Sequence, residues 1–217
     1  MCVHFNPTRQ SAWVHTHFGV ELPDSATFPT DTYPGYAAPI LIQSRSSGRI
    51  AAGLARFGLI PPWAKDDKIS RHTYNARSET VAAKPSYRHA WQQAQFCILP
   101  VEQFAEPRYS DGRAHPWQIA LVSGEPLGIA CLWERWRPPQ SGELVVSFSM
   151  LTVNADEHPV MQQFHKPGDE KRTPVVLAAS QFKHWLAATT VQAAEMMHWR
   201  DMPALHARSS IPSGEMA

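Results

Sequence analysis

The sequence predicts an α+β fold with an antiparallel β-sheet core and a few peripheral helices, and three observations support this. Proline and glycine punctuate the chain densely, with 19 Pro and 11 Gly among 217 residues. Between these breaks lie short apolar runs of strand length. Helical periodicity is confined to a few segments, two of them near the C-terminus. With 43% apolar residues the chain can bury one substantial core. Length alone permits one domain or two small ones, and one is expected, over residues 1–206.

The elements follow in order. Residues 38–42 (Ala-Pro-Ile-Leu-Ile) form the first clear strand, and the Ser-Arg-Ser-Ser-Gly-Arg run ending at Arg49 places a turn at Gly48. Residues 86–95 suit a helix and residues 96–99 a strand. Asp111-Gly112 is a strong hairpin dipeptide. It precedes strands at 117–121 and 144–148, and helices follow at 180–188 and, more weakly, at 191–198. The Ser-, Gly- and Pro-rich residues 207–217 read as a flexible tail.

Composition narrows the classes of function. No run approaches the roughly 18 apolar residues of a membrane span, and the N-terminal residues lack a secretory apolar region. A soluble, cytoplasmic protein with no membrane partner is expected. Three cysteines without Cys-x-x-Cys spacing indicate neither a disulfide framework nor a zinc ribbon, and Cys97 and Cys131 lie in apolar runs where cysteine acts as a small hydrophobe. A net charge of +1 excludes a globally basic nucleic-acid coat, so any DNA affinity must come from a local patch.

Cys2 stands outside any apolar run. Once Met1 is removed it becomes a 1,2-aminothiol, with an amine of pKa about 7.7–8.0 beside a thiol near about 8.5. Such a pair captures aldehydes: the amine forms a Schiff base and the thiolate closes a thiazolidine, which resists hydrolysis better than the imine. Partners for this chemistry occur elsewhere in the chain. In Tyr74-Asn75-Ala76-Arg77-Ser78-Glu79-Thr80, an extended backbone would put Asn75, Arg77 and Glu79 on one face. Arg77 suits a phosphate, and Asn75 suits a hydrogen bond to the ligand or the N-terminal residue.

Glu106 lies before Pro107, which is expected to end regular structure. A carboxyl partly buried there would be raised in pKa and suited to proton transfer. His165 sits in a polar loop entering the apolar Val175-Val176-Leu177, where it can exchange protons near neutral pH. The spacing of His158 and His165 matches no common zinc pair, so no metal is expected. Trp63, held stiff by Pro61 and Pro62, could stack on or split bases of a single strand.

Met1-Cys2, Asn75-Ala76-Arg77-Ser78-Glu79-Thr80, Phe104-Ala105-Glu106, and His165 followed by Arg172-Thr173-Pro174 together resemble the SOS response-associated peptidase (SRAP) family. Their order and spacing agree to about residue 200, and Tyr36-Ala37-Ala38-Pro39 and Gly58-Leu59-Ile60-Pro61-Pro62-Trp63 resemble two further family elements. The resemblance implies a barrel-like single domain that senses abasic sites in single-stranded DNA and at single-to-double-strand junctions, as a nucleoid-associated monomer without cofactor. It implies loss of Met1, in part by self-processing, then a thiazolidine crosslink at Cys2. Asn75 and Glu106 would assist at the amine and in proton transfer, His165 in opening the sugar, and a lyase step could follow. His4, Trp63, Arg77, Glu79 and Arg172 would meet DNA. The sequence departs from the family at Val3 and His4, where Gly and Arg are usual, at Tyr36, usually Asn, and around Glu106, which lacks the neighbouring Gly and Trp. Two other functions remain open: a thiol peptidase acting in trans, and a non-covalent single-stranded DNA-binding module.

Overall fold

In the computed structural model, which describes residues 2–210, β1 (His4–Pro7) leads into α1 (Ser11–Phe18). A hairpin of β2 (Ala37–Gln43) and β3 (Ile50–Phe57) follows, then the short β4 (Asn75–Arg77), α2 (Pro85–Gln92), the long β5 (Phe96–Ser110) and β6 (Arg113–Leu121). The chain continues through β7 (Leu127–Trp136), β8 (Val145–Asn154), β9 (Arg172–Pro174) and β10 (Val176–Leu177). It ends with α3 (Phe182–Ala187), α4 (Thr190–Met196) and β11 (Leu205–Ser209). Among the described residues no helix is long and apolar enough to cross a membrane.

Five strands close a barrel in the order β7-β8-β3-β2-β5, with β5 returning to β7. All its pairings are antiparallel except β3–β8. The fold is therefore the α+β, mainly antiparallel one the sequence predicted, closed into the barrel that the family resemblance implied. Outside the ring, β1 pairs with β5 and β4 runs parallel to β8. These two additions carry the N-terminus and Asn75 to the same end of the barrel.

Alternation along the strands divides the core. Cys97, Leu99 and Val101 of β5 join one cluster with Phe57, Ile129, Phe148 and Met150. Phe96 and Ile98 join another with Trp91, Phe182 and Trp185 of the helices. The helices thus cover the outer face of the barrel, and strands buried on both faces read as continuous apolar runs rather than alternating ones. Cys97 and Cys131 face each other across β5 and β7, both fully buried.

The turns follow backbone chemistry. Asp111 and Gly112 both have positive φ, as a two-residue hairpin turn requires. At Gly58 a Cβ would lie 2.2 Å from the Ser70 carbonyl oxygen, so only glycine lets β3 leave the barrel there.

Three expectations change. Pro107 does not end its strand: β5 continues to Ser110, with Pro107 opposite Pro116 of β6, so neither ladder position demands an amide donor. The α1 helix was not predicted, because only Val14 and Phe18 of its eight residues are buried and the apolar stripe is too thin to read. Residues 207–209 belong to β11, paired with β6, so the folded body extends past the expected boundary at 206. The rest of the expected tail, from 211, lies outside the described residues.

Candidate active site

Cys2, Asn75, Glu106 and His165 come together at one end of the barrel. The pairing of β1 with β5 sets His4 opposite Ala105 and so draws Cys2 towards Glu106. Glu106 faces this point because of a bulge. Asn6 pairs with Gln103 but Pro7 with Val101, leaving Glu102 as an extra residue in β5. Before the bulge the odd-numbered residues face the interior cluster; after it Phe104 and Glu106 do, both buried. Without that extra residue Glu106 would point out of the barrel. Thr8 and Gln10 bond the displaced Glu102 side chain and hold the bulge in place.

Asn75 is buried and its side-chain amide donates to the Cys2 carbonyl oxygen at 2.7 Å. Behind it the Tyr87 hydroxyl, pushed up to about 12 by burial and so a dependable donor, bonds the Asn75 carbonyl at 2.9 Å. His165 reaches the site on a left-handed backbone, φ 65°, which its N–H stabilises by donating to the Pro107 carbonyl at 2.9 Å. That bond ties the His165 loop to the residue after Glu106. His165 Nε2 lies 3.3 Å from Glu106 Oε2.

The electrostatics of the group are set by burial. Burial pushes the Glu106 carboxyl up to about 7 and the His165 imidazole down to about 4. The two groups therefore sit side by side with the neutral form of each favoured near pH 6: Glu106 holds a proton it can exchange near neutral pH, and His165 stays an uncharged imidazole. Burial, and secondly the charge on Glu106, raises the Cys2 thiol, which donates to the His4 carbonyl at 3.5 Å. Cys2 is thus held as a thiol, contrary to the ordinary value expected from sequence. Tyr74 also belongs to the site: half-buried, it is raised first by burial and then by Cys2 and Glu106. Its place beside Asn75 was the only signal for it in the sequence.

The expected DNA-contacting residues separate into two groups. Arg172 is buried, and all three of its guanidinium nitrogens donate within the protein: Nη1 and Nη2 to Glu79 at 3.2 and 2.8 Å, Nη1 also to Glu170 at 2.5 Å, and Nε and Nη2 to Thr152 at 3.2 and 2.7 Å. Arg172 and Glu79 thus form a brace that fastens the segment after β4 to β8 and β9, rather than a surface offered to DNA. Glu79 also leaves the face shared by Asn75 and Arg77, because β4 ends at Arg77. Arg77 itself is exposed, with Nη1 2.8 Å from Glu170.

A cavity of about 310 Å³ opens beside the site and runs from Asn75 to the basic side chains of Arg77, His72 and Lys84. Trp63 is 58% exposed and its indole N–H bonds the Pro85 carbonyl at the start of α2, so it stands as a fixed, half-bare ring near that cavity. His4 instead has its Nε2 2.8 Å from Asp31. Among the described residues no group of three or more His, Cys, Asp or Glu is placed to hold a metal ion.

The family model for the SOS response associated peptidase (SRAP) matches residues 1–210. The chain belongs to this family. It is 32% identical over 190 residues to the abasic site processing protein YoqW of Bacillus subtilis, covering 86% of this chain and 80% of that one. It is 26% identical over 152 residues to the abasic site processing protein HMCES of Gallus gallus, covering 57% of this chain and 45% of the longer relative. Among solved structures, a Bordetella bronchiseptica protein superposes with a TM-score of 0.86 at 31% identity, over 97% of this chain and all of the other.

Proposed function

We propose that this protein processes abasic sites in DNA and does so covalently, through Cys2 once Met1 has been removed by self-processing. The observation that carries the reading is the convergence on Cys2 of Asn75 and the Glu106–His165 pair. The ring-opened deoxyribose is an aldehyde. The Cys2 amine adds to its carbonyl, and water leaves as the imine forms. The thiol then adds across the C=N bond, its sulfur bonding to carbon while its proton passes to nitrogen.

A raised thiol is compatible with this order because the amine attacks first and Glu106, near 7, can take the thiol proton as the ring closes. His165 assists opening of the sugar, and Asn75 fixes the backbone that carries both nucleophiles. The same imine offers a lyase branch, in which a base removes the adjacent sugar proton and the 3′ phosphate leaves; ring closure competes with it. Arg77 and Trp63 would hold single-stranded DNA, with Trp63 blocking a continuing duplex at a junction, and the protein would act as a monomer. A thiol peptidase acting in trans needs a thiolate at neutral pH, and burial drives Cys2 the other way.

The test is to incubate the Met1-processed protein with a uracil-containing oligonucleotide treated with uracil glycosylase, and to resolve the products on a denaturing gel. A heat-stable adduct that disappears in Cys2→Ala is expected. No adduct from the native protein, or an undiminished adduct from the variant, sinks the proposal; in the former case non-covalent DNA binding becomes the better reading.

A further inference from the structure

We infer that Tyr33, Tyr36 and the His4 ring form an aromatic platform that stacks a nucleobase of the strand beside the captured sugar. The inference rests on the abasic-site reading and adds a specificity contact to it.

The platform is built into the segment before β2. A bridge between Phe5 and Thr32, with reciprocal backbone bonds of 3.2 and 2.9 Å, fixes one end of that segment against β1. Gly35 N–H to Phe57 O at 2.7 Å and Phe57 N–H to Tyr36 O at 2.8 Å fix the other end. Tyr33 lies flat on the His4 ring, with centroids 4.5 Å apart and planes 5° from parallel. Tyr36 stands across Tyr33 at 84°, with centroids 6.1 Å apart, making an L-shaped corner. The corner is rigid because Asp31 accepts from His4 Nε2 at 2.8 Å and from Asn6 at 2.9 Å. These bonds hold the Asp31 carboxyl below its ordinary value.

Packing does not explain these rings. Tyr33 is 43% and Tyr36 51% exposed, and the neighbouring Val3 is 41% exposed. They form an apolar, solvent-facing patch next to a reactive residue, where a stacking surface would be of use. The charges nearby identify what it stacks. His4 occupies the position where the family usually carries an arginine, but its Nε2 is engaged with a carboxylate that repels phosphate. What this side of the site offers is ring faces, and any nucleobase has a complementary face. His4 opens β1 two residues after Cys2, a span of about 7 Å at most of extended chain, so the base within reach is the one flanking the abasic sugar.

The test uses DNA that cannot crosslink: a single-stranded oligonucleotide with a tetrahydrofuran abasic analogue flanked by 2-aminopurine, titrated with the full-length protein. Stacking should change the 2-aminopurine fluorescence on binding. In Tyr33→Ala/Tyr36→Ala that change should vanish and affinity should fall about fivefold or more, while the slope of affinity against salt stays that of the wild type. Tyr33→Phe/Tyr36→Phe should restore both signals, which separates stacking from misfolding. Wild-type affinity and fluorescence in the alanine variant would overturn the platform. If the protein forms adducts but the fluorescence is insensitive to these substitutions, the platform fails and the covalent reading stands. If it forms none but the fluorescence responds, the platform stands and the covalent reading fails.

Discussion

Glu106 on β5 and Glu134 on β7 are both buried, on paired strands of the same barrel, and each has a histidine beside it. At Glu134 the oxygens are met by His89 Nδ1 at 2.6 Å, Gln95 Nε2 at 2.9 Å and the Arg135 N–H at 2.9 Å, so the carboxylate works as a cross-brace between α2 and β7. Its histidine is half-exposed. At Glu106 burial dominates and carries the carboxyl to about 7, while its histidine is buried too and driven to about 4. Burial alone does not make a reactive acid. Close donors turn one buried glutamate into structure, and burial beside a neutral histidine leaves the other as an acid that can exchange its proton near neutral pH.

The largest effect separating the two should come from Glu106→Gln. Adduct formation should slow by about 10²- to 10⁴-fold, with a thermal midpoint at pH 8 no lower than that of the wild type, because the amide escapes the cost of burying a charge. Glu134→Gln should do the opposite, leaving the adduct rate within about twofold while lowering stability by about 2–3 kcal/mol in a denaturant titration, since the amide meets donors with a donor. Equal loss of rate in both variants would erase the distinction.

The smallest effect is in the pH dependence of stability. The Glu106 pKa is raised from 4.5 to about 7, so its contribution is present below pH 4.5 and lost as pH rises to 7. The His165 pKa is lowered from 6.5 to about 4, so its contribution is present above pH 6.5 and lost as pH falls to 4. Between pH 4.5 and 6.5 the two slopes oppose each other. His165→Asn keeps a residue that tolerates positive φ and removes one slope. Relative to wild type it should lose about 1 kcal/mol of stability per pH unit as pH rises through this window. A parallel pair of stability curves would mean that the histidine is not buried neutral.

Much of this was legible in the sequence, and the exceptions have physical causes. Short apolar runs gave β2, β7's neighbours and the helices from α2 onward, because burial on one or two faces leaves a periodic mark. Cys2, Asn75, Glu106 and His165 could be singled out as polar residues between such runs, but it was the family resemblance that joined them into one candidate site. That Glu106 points inward was not readable, since one extra residue at Glu102 decides it and a bulge has no strong signature of its own. Arg172 looked like a surface cation because arginine usually is one; the carboxylates that enclose it, Glu79 and Glu170, approach from a distant turn and from two residues before it. Tyr33 was missed because exposed aromatic rings in a Pro-Gly loop carry no period.

The pairings of β1 with β5 and β4 with β8 join residues far apart in the chain, His4 with Ala105 and Asn75 with Met150. Such non-local contacts slow folding, since long loops must close before any contact rewards them. They also set a schedule. During synthesis Cys2 emerges about 160 residues ahead of His165, eight seconds or more at about 20 residues per second. On the proposed mechanism a nascent chain would carry its nucleophile before the groups that activate it, and reactivity would arrive only when the barrel shuts.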